Sequence, residues 1–97
     1  MNQLEQFLNE DLLLFGSPIK DPSECFLLFT KDFGHIEATN SVSEAIRYAL
    51  QNTDEGFVYV VYPENFVRNP EKENFYKPID RFATPYLTRI KVTQDSI

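Results

Sequence analysis

Between residues 65 and 86 the chain reads NFVRNPEKENFYKPIDRFATPY, in which Phe66, Phe75, Tyr76, Phe82 and Tyr86 interleave with Arg68, Lys72, Lys77 and Arg81. Rings alternating with cations can stack on nucleotide bases while neutralising phosphate. Tyrosine and arginine are also the side chains that anchor protein interfaces. A third use is internal, with Phe66, Phe75 and Phe82 stapling the segment onto the core. A structureless connection of about twenty residues is rare in a compact domain, so the segment is either functional or partly ordered. The sequence PENFVRN has room for a helical turn after Pro63, whereas Pro70, Pro78 and Pro85 forbid a long helix.

Other reactive groups are sparse. One cysteine, Cys25, and one histidine, His35, stand ten residues apart. On two strands of a hairpin they could face each other as a nucleophile and base. Cys25 opens an apolar run, however, where a small thiol is inert packing. Metal sites need clustered ligands, and one Cys with one His supplies none. Only three glycines occur, without the spacing of a phosphate-binding loop or of a nucleophile elbow. The adjacent acids Glu10-Asp11 and Asp54-Glu55, and the pair Glu71 and Glu73, sit in polar stretches and read as solvated. Glu37, between apolar neighbours, is the acid placed to point inward, where an apolar pocket raises a carboxyl pKa.

Charge gives a second line of argument. The net charge is −6, which disfavours general binding to nucleic acid or anionic membrane. Residues 1–65 hold 11 acids and 3 bases, a net of −8, and residues 66–97 hold 4 acids and 6 bases, a net of +2. Glu5, Glu10, Asp11, Asp54 and Glu55 are the candidates for an acidic face that steers a partner. A lone cysteine allows no internal disulfide and suits a reducing compartment. No apolar run reaches the roughly 18 residues of a membrane span, and the N-terminus lacks the basic start of a signal peptide. The expectation is a soluble, cytoplasmic protein without cofactor or metal.

These residues must be positioned by elements that the pattern predicts as follows. Leu4, Phe7, Leu8 and Leu12 recur at helical spacing, predicting a helix over 2–15 that ends at Gly16 and Pro18. CFLLFT (25–30) and HIEAT (35–39) read as an antiparallel hairpin turned by KDFG. Ser41 followed by Glu44 is a capping box, and Val42, Ala45, Ile46, Ala49 and Leu50 form a stripe, predicting a helix over 42–52. The uncharged run FVYVVY (57–62) is a central strand, to which HIEAT could run parallel through a right-handed crossover. YLTRIKVT (86–93) alternates as an edge strand, with Tyr86, Thr88, Ile90 and Val92 on one face.

With 97 residues, 42% hydrophobic and 25% charged, the chain makes one globular domain spanning 1–97. The expected fold is α+β, a four-stranded mixed or antiparallel sheet with two helices on one face, in the order α-β-β-α-β-β. The expected function is protein–protein contact by an inhibitor, immunity or counter-defence factor of a bacterium or phage. Its expected target is a basic nucleic-acid-handling enzyme. A homodimer through the first helix or the edge strand is compatible with the pattern. The alternatives are a nucleotide or single-strand binder using residues 65–86, and a small enzyme with that segment as a lid.

Overall fold

A computed structural model describes residues 3–21, 23, 26–28, 37–80 and 83–96 of the chain. The architecture is a mostly-sheet α+β fold with one seven-stranded antiparallel sheet in the order β2-β7-β4-β1-β3-β6-β5. Its elements are α1 (Gln3–Asn9), β1 (Leu13–Ser17), β2 (Phe26–Leu28), β3 (Ala38–Thr39), α2 (Val42–Ala49), β4 (Glu55–Val61), β5 (Phe66–Arg68), β6 (Phe75–Pro78) and β7 (Ala83–Thr93). Short 3₁₀ turns cover Pro63–Asn65 and Gln94–Ser96. The expected four-stranded sheet is therefore corrected to seven strands. The missing strands came from the end of the first apolar run and from the proline-containing segment after β4.

Most of LLLF is strand rather than helix. The predicted helix over 2–15 stops at Asn9, because Asp11 takes a left-handed backbone with φ 63°, which an α-helix cannot continue. Leu13 to Ser17 then form β1, fully buried, paired with β4 from Leu13↔Val61 to Ser17↔Phe57. Gly16 is accordingly a strand residue rather than a helix cap. Side chains alternate across this central pair. Leu13, Phe15, Tyr59 and Val61 enter one apolar cluster, and Leu14, Val58 and Val60 enter a second, which also holds Leu4 of α1 and Ala45, Ile46 and Ala49 of α2.

Helix α2 lies unusually close to the sheet. A Cβ on Gly16 would stand 1.8 Å from the Ala45 carbonyl oxygen, and one on Gly56 would stand 1.7 Å from that of Ala49. Two glycines below two alanines let helix backbone rest directly on strand backbone. Ser41 caps the helix by accepting from the Glu44 amide. The reciprocal arm of the predicted capping box is not made: the Ser41 amide donates to Thr39 Oγ1 at 3.1 Å, and the Glu44 carboxylate pairs with Arg47.

The strand partners also differ from expectation. β2 pairs with β7, and β3 pairs with β1 and β6, so β2 and β3 do not pair with each other as a hairpin and β3 does not run beside β4. The KDFG turn itself lies outside the described residues. β7 pairs with β2 through Ala83 to Pro85 and with β4 through Tyr86 to Thr93, so the stretch 86–93 has a strand partner on one side only among the described residues. The register shifts between Val60↔Thr88 and Val61↔Tyr86, leaving Leu87 as the extra residue of a bulge. That bulge reverses the facing of the strand. Tyr86 joins the cluster of Tyr59, whereas Ile90 and Val92 join the helix-side cluster.

The sheet curls on itself. β4 and β5 are four inter-strand spacings apart in the sheet order, about 19 Å if flat. Only five residue steps join Val61 to Phe66, a reach of about 17 Å even fully extended, and part of that path is the turn Pro63–Asn65. The strands must bend toward one another, and both end strands send a residue, Leu27 and Phe66, into the cluster on the concave face.

Candidate functional site

Residues 65–79 form a β-hairpin that extends the sheet beyond α2. Its loop is built by Asn69, a buried residue whose amide donates to the Phe75 carbonyl at 2.9 Å and whose Oδ1 accepts from the Glu71 amide at 2.9 Å. Asn74 closes the loop with φ 68°, a conformation that asparagine tolerates better than most residues. The Asn74 carbonyl accepts from Thr39 Oγ1 at 2.8 Å and from the Asn40 amide at 3.3 Å, tying the loop to the junction of β3 and α2. Pro78 lies opposite Phe66. Ile79 donates to the Asn65 carbonyl and Asn69 to the Phe75 carbonyl, so the hydrogen-bonded pairs are Asn65 with Ile79, Val67 with Lys77, and Asn69 with Phe75. A proline opposite Phe66 therefore removes no ladder bond between the two strands.

The hairpin sorts its aromatic residues from its cations. Phe66 and Phe75 are buried, as is Tyr86 on β7, and Tyr76 is half-buried against the concave cluster. Phe75 meets the Tyr48 ring of α2 edge-on at 5.8 Å between centroids. Lys72 stands over Phe75 and pairs with Glu37 at 3.2 Å, and the hydrogen bond and charge of Glu37 hold its ammonium pKa above the ordinary lysine value. Arg68 and Lys77 are exposed and make no ion pair among the described residues. Two apolar side chains join them at the surface, Val67 at 52% and Ile79 at 60% exposure. Val67 and Lys77 lie opposite each other, and the two-residue period of a strand puts Ile79 on their face. Arg81 and Phe82 lie outside the described residues.

A second polar cluster sits on the concave face. The Tyr59 hydroxyl accepts from the Asp21 amide at 2.7 Å and donates to the Ile19 carbonyl at 3.0 Å. Tyr86 donates to the Ser23 carbonyl at 2.6 Å, and Arg89 to the Asp21 carbonyl at 2.7 Å. Asp21 is fully buried, and its Oδ1 accepts from the Ser23 amide at 2.8 Å. Burial drives the Tyr59 hydroxyl above the ordinary tyrosine pKa, with the backbone hydrogen bond of Asp21 acting the other way. Every one of these sheet side chains grips backbone of the connection between β1 and β2. The arrangement is a clasp for residues 19–23, with its hydroxyls engaged rather than turned toward a substrate.

The acidic candidates are exposed, and the two adjacent pairs stand at opposite ends of the central strand. Glu10 and Asp11 precede Leu13, which pairs with Val61 at one end of β4, whereas Asp54 and Glu55 stand at its other end. The separation is about 20 Å along a seven-residue strand. Glu55 is paired with Lys91 at 2.8 Å. Glu5 is exposed on α1. Cys25 and His35 lie outside the described residues. Among the described residues no three His, Cys, Asp or Glu side chains are grouped to hold a metal ion, and no helix is long and apolar enough to cross a membrane.

Sequence reasoning located the segment but not its exposed apolar residues. Val67 and Ile79 are single aliphatic residues between rings and cations, a pattern that does not by itself distinguish an exposed from a buried position. The alternation of Phe66 inward with Val67 outward, and the placing of Lys77 and Ile79 on the Val67 face, was the available signal. No family model, curated protein or solved structure matches the chain.

Proposed function

We propose that this chain is a small intracellular binding protein that acts by protein–protein contact, as inhibitors, immunity proteins and counter-defence factors do. The single observation behind this reading is the outer surface of the hairpin. One face of it presents Val67 and Ile79 together with Lys77, and Arg68 is exposed next to Val67 with its side chain on the opposite face of the strand, all on a well-tied element. Exposed apolar side chains beside cations that make no ion pair among the described residues match the composition of contact surfaces. The overall charge of −6 acts at longer range, favouring encounter with a partner of positive net charge, such as a nucleic-acid-handling enzyme.

The nucleotide-binding alternative has less to support it. Stacking needs accessible ring faces, and Phe66, Phe75 and Tyr86 are spent on the core. The lid alternative needs a segment able to lift, whereas β5 and β6 are laddered into the sheet and their loop is tied to Thr39 and Asn40.

The test is capture of a partner from native lysate, identification by mass spectrometry, and reconstitution with the purified protein. Wild-type chain is expected to bind, and Val67→Asp combined with Ile79→Asp to abolish binding while the fold is retained. Equal binding by that variant, with loss instead in Glu10→Lys combined with Asp11→Lys, would contradict the assignment of the surface.

A further inference from the structure

The free edge of β5 carries a second, independent feature. Since Asn65, Val67 and Asn69 direct their backbone groups toward β6, Phe66 and Arg68 direct theirs away from it. The Phe66 amide donates to the Pro63 carbonyl. The Phe66 carbonyl and both backbone groups of Arg68 make no hydrogen bond among the described residues, and β5 ends the sheet. Among the described residues these three backbone groups have no partner, and Arg68 is exposed. Edge strands of this kind are commonly protected by charge, by twist or by a covering element. Here Arg68 is the one charge on the strand, and Val67 beside it is apolar.

We infer that the β5 edge pairs with an extended, acidic–apolar segment of the partner, adding an eighth strand to the sheet. The inference rests on the protein-contact reading above and names the chemistry of the occupant. Main-chain hydrogen bonds to Phe66 and Arg68 supply affinity without regard to sequence. Selectivity comes from side chains on the two faces of the added strand. On the face shared by Val67 and Ile79, an apolar residue fits. On the opposite face Arg68, which makes no ion pair among the described residues, favours Asp or Glu in the incoming strand, and Lys77 adds positive charge nearby in a chain with fifteen acids against nine bases. A second copy of β5 would bring Arg68 near Arg68 and is disfavoured by the same charges. Steering depends on the partner's net charge and docking on the local segment, so a basic protein bearing one acidic strand meets both conditions.

Selection of a random seven-residue peptide library on the purified chain tests the inference. Recovered sequences are expected to alternate Val, Ile, Leu or Phe with Asp or Glu, and their binding is expected to shift the amide resonances of residues 66–68. N-methylation of the peptide backbone, replacement of its acids by Lys, or Arg68→Glu combined with Lys77→Glu in the chain should each weaken binding by about tenfold or more, the equivalent of about 1.4 kcal/mol. Circular dichroism of that variant should be unchanged. Enrichment of basic sequences, recovery of none, indifference to N-methylation, preferential binding of a single-stranded oligonucleotide, or a concentration-dependent dimer that protects the Arg68 amide would each overturn it. If no peptide is recovered but the captured protein still requires Val67 and Ile79, strand pairing fails and the protein-contact reading stands. If binding ignores those residues too, both fail.

Discussion

Gly56 lies under Ala49 so closely that a single added carbon would sit 1.7 Å from the Ala49 carbonyl oxygen. The obstruction is backbone, so no rotamer change relieves it. Gly56→Ala should therefore lift α2 from the sheet and loosen the cluster of Leu14, Ile46, Val58 and Val60. The expected cost is about 3 kcal/mol or more, read from the midpoint of urea unfolding. The same holds for Gly16→Ala at Ala45. An unchanged midpoint would show that the helix does not approach so near.

The clasp on the concave face predicts a mutational and a pH effect. Tyr59→Phe leaves the Asp21 amide and the Ile19 carbonyl without their hydroxyl partner in a buried place, costing about 1–3 kcal/mol. Amide exchange at Asp21 should quicken more than exchange in α2. Because burial raises the folded-state pKa of Tyr59 above the unfolded value, the folded state holds this proton more tightly. Its contribution is complete below the unfolded tyrosine pKa, near 10, and declines as pH rises above it. Wild-type stability should thus fall above pH 10 more steeply than that of Tyr59→Phe.

Ser41→Ala removes the acceptor for the Glu44 amide and should cost about 1 kcal/mol. Ser41→Asp should restore most of it, since a carboxylate also accepts there and suits the positive end of a helix. The comparison isolates the cap from the mere presence of a serine. It is read from denaturant midpoints of the two variants side by side.

How far the fold was legible depended on how local its signals were. α2 was, because Ser41, Glu44 and the stripe through Ala49 are signals within one helix. β4 was, because six uncharged β-forming residues in a row have few alternatives. LLLF was misread because a run of apolar residues satisfies the helical and the buried-strand pattern alike, and only the left-handed turn at Asp11 separates them. The hairpin was missed for a subtler reason. Pro70 and Pro78 read as breaks, yet Pro78 occupies the strand position whose missing amide costs nothing against β5. The facing of Tyr86 depended on a bulge at Leu87, which is a property of two strands in register and leaves no mark on one. Within the candidate site, the position of the segment was legible and its exposed residues were not, because which ring turns inward is decided by the curl of the whole sheet.

Charge reversal at the hairpin should leave stability nearly unchanged. Arg68 and Lys77 are exposed and unpaired among the described residues, so Arg68→Glu and Lys77→Glu should each move the unfolding free energy by no more than about 0.5 kcal/mol. Lys72→Glu should cost more, because it places a second carboxylate beside the mostly buried Glu37. A large loss in Arg68→Glu would reveal a structural role for that side chain.

Hydrogen exchange of the whole chain, with and without its reconstituted partner, tests the proposed contact surface most directly. The expected result is slowed exchange at Val67, Arg68 and Lys77 through Ile79, strongest at the outward-facing Arg68 amide, with Glu10, Asp11, Asp54 and Glu55 unaffected. Protection confined to those acidic residues, with the Arg68 amide exchanging as fast as in the free chain, would contradict it.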